Sequence, residues 1–282
     1  MGKQRNFTHI AYDRVASVNV DRDSQFPDLS STVERWNQHQ KNDKPPWSSL
    51  RLVAAIEVVL CSGFPTQLFL VFVFSVLGLA SFDADGELSL TWVVLLSTTD
   101  AVLLLLMILY FLRRGDEKPE IVFFGSREHS REFLLGIILI PLMVIIATVT
   151  VSLLYYAWPD IRNVPRNPFV SLIQSPMNAA VFAIVAIVAG GIREELQRAF
   201  ILHRFKHHLG GAWIGLILFS IAFGLGHIVQ GWDAVIVTAL LGALWGGIYL
   251  LRGSVLSAIV SHAGFNLTEI ILSLIGIGSS SV

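Results

Sequence analysis

The chain has 282 residues, 54% of them hydrophobic and 15% charged, with a mean hydropathy of +0.64. A water-soluble domain of this size cannot hide so much apolar surface, so the composition indicates a polytopic membrane protein. A net charge of -1, an isoelectric point near 6.7 and basic residues gathered in loops speak against nucleic-acid binding. The single cysteine, Cys61, excludes an intrachain disulfide framework and any multi-cysteine zinc site, and is expected to pack.

Residues 1–46 alternate Lys3, Arg5, Asp13, Arg14, Asp21, Arg22 and Asp23 without an apolar run and close on Pro45-Pro46. They read as a polar cytoplasmic tail with neither a cleavable signal peptide nor catalytic content. From Trp47 the chain is apolar for over thirty residues, interrupted by Glu57, Gly63 and Pro65. It suits either one kinked span or an interfacial helix followed by a span over 64–82. An acidic loop with Asp83, Asp85 and Glu87 follows. Further spans are expected at 90–112, 133–158, from about 178 into a basic cluster at His203–His208, then at 213–229, 234–251 and 255–277. Each approaches the roughly 20 residues that a hydrocarbon core of about 30 Å requires.

This makes a transmembrane helical domain over 47–282 of about seven spans, all-α, with its chemistry among the last four. The loop 113–132 holds five Lys or Arg residues and alternates, with the tail, the Arg204 region and Arg252, against the acidic 83–87 loop, the 159–177 loop and the Gly231-Asp233 turn, with only Arg162 and Arg166 against the pattern. The positive-inside rule then places the N-terminus in the cytoplasm and the C-terminus outside, as in a bacterial plasma-membrane protein.

The residues that depart from this apolar background are few. An apolar helix reaches Gly190-Gly191 and then carries Arg193, Glu194, Glu195, Gln197 and Arg198. Adjacent carboxylates at membrane depth are costly and mark a functional site unless they sit at a solvated helix end. Phe223 and His227, and likewise His262 and Asn266, are each four residues apart and therefore project from one face of their helices. Small residues beside them, including Gly190-Gly191, Gly224, Gly246-Gly247 and Ala263-Gly264, would let these helices approach closely. A carboxylate, two imidazoles and an amide in an apolar cavity suit hydrolysis: the carboxylate accepts a proton from water and N–H groups stabilise an oxyanion. The same Glu194, His227 and His262 could instead form a catalytic zinc set. A non-catalytic membrane scaffold or immunity protein is the third alternative.

Glu194-Glu195 with Arg198, Phe223-Gly-Leu-Gly-His227 and His262-Ala-Gly-Phe-Asn266, in this order on apolar helices, resemble the CPBP family of intramembrane proteases, the CAAX prenyl protease and bacteriocin-processing group. The resemblance covers a core of about 178–278. It implies a metal-independent, cofactor-free endopeptidase acting on a peptide or membrane-protein substrate, with Glu194 and His227 activating water and His262 and Asn266 forming the oxyanion site. Glu195, Arg198 and Phe223 would be supporting residues. The family usually writes three residues between the Glu pair and the Arg, whereas this chain has two, Leu196 and Gln197, and Ala199 occupies the usual Arg position. Arg198 can still reach Glu195 at i,i+3 or Glu194 at i,i+4. Glu57 and Asp100 lie outside these motifs and are expected to be structural or interfacial. The cluster of His203, Arg204, Lys206, His207 and His208 is expected to be a solvated loop facing anionic lipid. The oligomeric state is not legible in the sequence.

Overall fold

In a computed structural model, residues 47–276 are described; the expected N-terminal tail and the last residues of the chain lie outside them. The described residues form ten α-helices and no strand: α1 (Trp47–Leu60), α2 (Phe64–Val76), α3 (Leu90–Arg114), α4 (Pro119–Phe124), α5 (His129–Ala157), α6 (Pro176–Val185), α7 (Glu194–His208), α8 (Ala212–Leu225), α9 (Trp232–Arg252) and α10 (Leu256–Leu274). The helix boundaries follow local chemistry. Ser89 and Ser175 accept from the backbone N–H groups of Trp92 and Asn178 at the starts of α3 and α6, and Pro176 occupies the first turn, where its missing N–H costs nothing. Arg113 and Arg114 close α3, where cations complement the helix dipole. Gly253, in the left-handed conformation, ends α9.

The protein is an all-α polytopic membrane bundle. Among the described residues five helical stretches are long and apolar enough to cross a bilayer: Leu90–Arg114, His129–Ala157, Pro176–His208, Trp232–Arg252 and Leu256–Leu274. The α1–α2 pair, bent by 45°, makes a sixth if counted as one broken span. The long stretch from Trp47 is thus two helices hinged at Gly63, whose φ of +89° is readily adopted only by glycine. The expected span at 213–229 is shorter than the sequence pattern implied. α8 has 14 residues, a rise of about 21 Å against a hydrocarbon core of about 30 Å, because Gly224 and Gly226 end it before His227.

Two large apolar clusters, with a smaller one of Ile173, Ala179 and Ile270, hold the described residues together. One joins Leu104, Ile108 and Leu112 of α3 to Phe200, Ile201 and Leu202 of α7 and Leu216 and Phe219 of α8. The other joins Met143, Ala147 and Val151 of α5 to Leu241 and Trp245 of α9 and Ala258 and Phe265 of α10. The outward faces are equally apolar, with Val102, Leu106, Ile138 and Leu153 exposed, the inside-out pattern expected where lipid is the solvent.

Between α6 and α7, residues Ala186–Arg193 form a π-helical turn, so α6 and α7 are one long helix with a widened waist. Such widenings insert extra residues into a helix and re-aim the side chains that follow. Here the two side chains that follow are Glu194 and Glu195.

Candidate functional site

α7 begins at the Glu pair, and the pair splits. Glu195 is almost fully buried. Its Oε1 accepts hydrogen bonds from the Arg198 guanidinium, one turn on, and from His262 Nδ1 of α10 at 2.7 Å. Glu194 points elsewhere and is partly accessible. Its Oε2 lies 3.9 Å from His262 Nε2 and its Oε1 3.8 Å from the Arg193 guanidinium, both too long for hydrogen bonds. His262 therefore bridges the two carboxylates. With Nδ1 committed to Glu195, which accepts, its other nitrogen faces Glu194.

The imidazole of His262 is fixed by more than this bond. It stacks on Trp245 of α9 with ring centroids 3.8 Å apart and planes 13° from parallel, and the edge of Phe223 meets it at 6.3 Å. Trp245 is buried and satisfies its own indole N–H by donating to Ser261 Oγ at 3.0 Å. Arg198 is fully buried, with its guanidinium over Phe223 at 4.6 Å and near Phe219 and Trp245. The shortened spacing between the Glu pair and Arg198 is accommodated by the i,i+3 contact with Glu195.

Asn266, one turn beyond His262, donates from Nδ2 to the carbonyl of Ala186 in the π-turn at 3.2 Å. This close approach needs Gly190 and Gly191. A Cβ at Gly190 would stand 2.5 Å from Asn266 Nδ2, and one at Gly191 would stand 2.6 Å from Ala263 Cβ. The small residues singled out in the sequence thus do what their size allows, bringing α10 against the wide turn.

His227 is not on the helical face that the four-residue spacing implies. α8 ends at Leu225, and His227 lies beyond its cap, before a short 3-10 turn at Ile228–Gln230. It nonetheless stays with Phe223: the rings are 4.9 Å apart and Nδ1 lies 2.9 Å from the Phe223 carbonyl oxygen. A carbonyl can only accept, so the Nδ1 proton is placed there and Nε2 is left as an acceptor. Phe223 thus touches Arg198, His227 and His262 at once.

Among the described residues no three His, Cys, Asp or Glu side chains are grouped to hold one metal ion. The basic cluster differs from expectation too. Arg204 is buried inside the bundle, not in a solvated loop, and donates to Glu57 at 2.6 Å and to Glu117. Its neighbour His203 contacts Glu117 at 2.8 Å. Sequence reasoning missed Trp245, whose place next to Gly246 on an apolar helix was the available signal. It also left Arg193 without a role and expected Asp100 to be structural or interfacial; the two form a buried ion pair between the π-turn and α3.

The family model described as Type II CAAX prenyl endopeptidase Rce1-like matches residues 176–268. The match spans α6 to the middle of α10 and contains the Glu pair, Arg198, Phe223, His227, His262 and Asn266, in agreement with the resemblance that the three motifs carry. No curated protein and no solved structure matches the chain.

Proposed function

We propose that this protein is an intramembrane endopeptidase in which Glu194 and His227 activate a water molecule for attack on a peptide bond. The observation that carries the reading is the division of labour within the Glu pair. Glu195 is buried and its Oε1 holds both Arg198 and His262, whereas Glu194 keeps a partly accessible carboxylate facing the same imidazole. In the step envisaged, Glu194 takes a proton from water while Nε2 of His227 accepts the other O–H. The water oxygen bonds to the carbonyl carbon, and Glu194 returns the proton to the amine as the C–N bond breaks. The second Asn266 amide proton is a donor available to the oxyanion, and His262 Nε2 is another when the imidazole carries both protons, Nδ1–H staying on Glu195. Glu195, Arg198, Phe223 and the Trp245 stack keep His262 in place. This is the glutamic-type chemistry that the family resemblance implies, needing neither metal nor cofactor.

The family name points to peptides near a prenylated C-terminus as one substrate class, and membrane proteins processed near the bilayer surface are another. On the Lys/Arg distribution the N-terminus belongs in the cytoplasm, and with α1–α2 and the short α8 each counted as a crossing the C-terminus lies outside; a plasma membrane of bacterial type is the membrane proposed. Reporter fusions test this; a C-terminal fusion active only in the cytoplasm would overturn it.

The decisive experiment compares membrane and secreted proteins in cells carrying wild-type protein or Glu194→Ala, to find a substrate whose processing is lost. That substrate is then assayed with detergent-purified wild type and Glu194→Gln. Loss of turnover in well-folded Glu194→Gln is expected. Undiminished turnover would remove the water-activation assignment of Glu194, whereas absence of turnover by purified wild type would leave the scaffold alternative. A chelator that abolishes wild-type turnover, restored by added zinc, would favour a metallopeptidase.

A further inference from the structure

The residues of the proposed peptidase account for Glu194 to Asn266, but not for a second set of buried polar groups immediately behind Glu194. Arg193, the last residue of the π-turn, is buried, and its guanidinium pairs with Asp100 in the middle of α3. Asp100 is itself held from α2: Thr66 Oγ1 lies 2.5 Å from Oδ1, and Gln67 Nε2 lies 3.5 Å from Oδ2. The hinge between α1 and α2 lies against the same guanidinium, since a Cβ at Gly63 would stand 3.0 Å from Arg193. The hinge carbonyl of Cys61 accepts from Gln197 of α7 at 2.8 Å. Hinge, α3 and π-turn thus meet at one polar seat whose member nearest the reaction centre is Arg193.

Replacing a buried ion pair by apolar groups of similar volume is often neutral or stabilising, so packing alone gives weak reason for this pair at membrane depth. Its placement supplies a stronger one. The Glu194 carboxylate lies between the Arg193 guanidinium at 3.8 Å and His262 Nε2 at 3.9 Å, its two ion-pair contacts among the described residues. Arg193 can turn no further toward Glu194, because Asp100 holds its other end-nitrogen.

We infer that Arg193 and Asp100 are positioning residues for the proposed reaction: the Asp100-anchored guanidinium sets the direction of the Glu194 carboxylate toward His262. This rests on the reading of Glu194 as the water-activating group. It gives the broken α1–α2 pair, which lies outside the family match, a part in the site.

The test is the pair of double variants Arg193→Met/Asp100→Leu and Arg193→Asp/Asp100→Arg, purified in detergent and assayed on the substrate from the processing screen. The first removes both charges; the second restores the ion pair with its polarity reversed. If the pair positions Glu194, both double variants fold with near-wild-type thermal stability and keep KM, while kcat falls about 100-fold, the scale expected for a reacting group displaced by about 1 Å. If the pair only holds helices together, the reversed pair recovers wild-type kcat along with stability, which overturns the proposal. Should both double variants fail to fold, Arg193→Lys decides: it keeps the charge while losing the fork, and wild-type kcat in it overturns the proposal, whereas reduced kcat at unchanged KM supports it. Glu194→Gln in parallel separates the two failures. If Glu194→Gln is inactive and the double variants are fully active, the positioning role alone falls; if Glu194→Gln is fully active, the reading of Glu194 falls and takes this inference with it.

Discussion

Helix α7 carries two buried polar clusters, one at each end, and they are built differently. At its C-terminal end Arg204 has a protein acceptor for each guanidinium nitrogen: Glu57 on Nε, Glu117 on one end-nitrogen and the Phe111 carbonyl on the other, with the Phe200 ring 4.7 Å below. Glu117 is closed by His203 as well. At the N-terminal end the partners do not add up. Glu195 Oε2, Arg193 Nε, and Nε and one end-nitrogen of Arg198 are buried without a protein partner among the described residues, and Glu194 makes only long contacts. Buried polar groups are nearly always paired, so the saturated cluster reads as structure and the unsaturated one as a site with hydrogen-bonding capacity kept for something else. In composition the two are alike, each with carboxylates, arginine and histidine; the saturation of partners tells them apart.

The comparison makes opposite predictions for the two ends. The largest effect is expected at the unsaturated end, where Glu194→Gln keeps size but removes the proton acceptor. Turnover should fall about 100- to 10,000-fold in single-turnover assays, with detergent-solution melting temperature unchanged. Asn266→Ala should cost roughly 3 to 4 kcal/mol of transition-state stabilisation, read as a fall in kcat with little change in KM. A rise in KM alone would place Asn266 in substrate binding instead.

At the saturated end the readout reverses. Arg204→Met leaves the buried Glu57 uncompensated and should lower stability by about 3–5 kcal/mol, while the folded fraction turns over substrate at the wild-type rate. Impaired turnover in a stable Arg204→Met protein would make this cluster part of the site. Glu195→Gln should behave between the two, weakening the anchor of His262 and Arg198 and lowering stability more than the intrinsic chemical rate.

The smallest effect concerns Glu117, in the loop outside the spans. Burial pushes its carboxyl up, but hydrogen bonds from His203 and Arg204 outweigh this and hold it down to about 2, from an ordinary value of 4.5. A depressed carboxylate stabilises the fold fully above its ordinary value and progressively less as pH falls toward the folded value. The melting temperature of wild type should therefore drop between pH 4.5 and 2, and Glu117→Gln should show a shallower drop over the same window. Parallel curves would show that this carboxylate does not contribute to acid stability.

Much of this was legible in the linear sequence because the governing signals are local. Apolar run lengths specified a helical membrane bundle, and three short motifs picked out Glu194, His227, His262 and Asn266, which gather around Phe223, Trp245 and the π-turn. A glycine at position 63 indicated a break, although one kinked span and two helices remained equally open. Periodicity is a property of consecutive residues, and so it survives without tertiary information.

What the sequence by itself determined is therefore the class of fold, the apolar segments and the identity of the unusual polar residues within them. Only the tertiary structure decided which carboxylate is consumed and which is left accessible, because that depends on the widening of the helix at Ala186–Arg193 and on the angle at which α10 meets it. It also decided that Arg204 is an interior residue and that Asp100 reaches Arg193 across 93 positions of chain. Pairing of this kind is set by the packing of separate helices, and no spacing rule within one helix contains it.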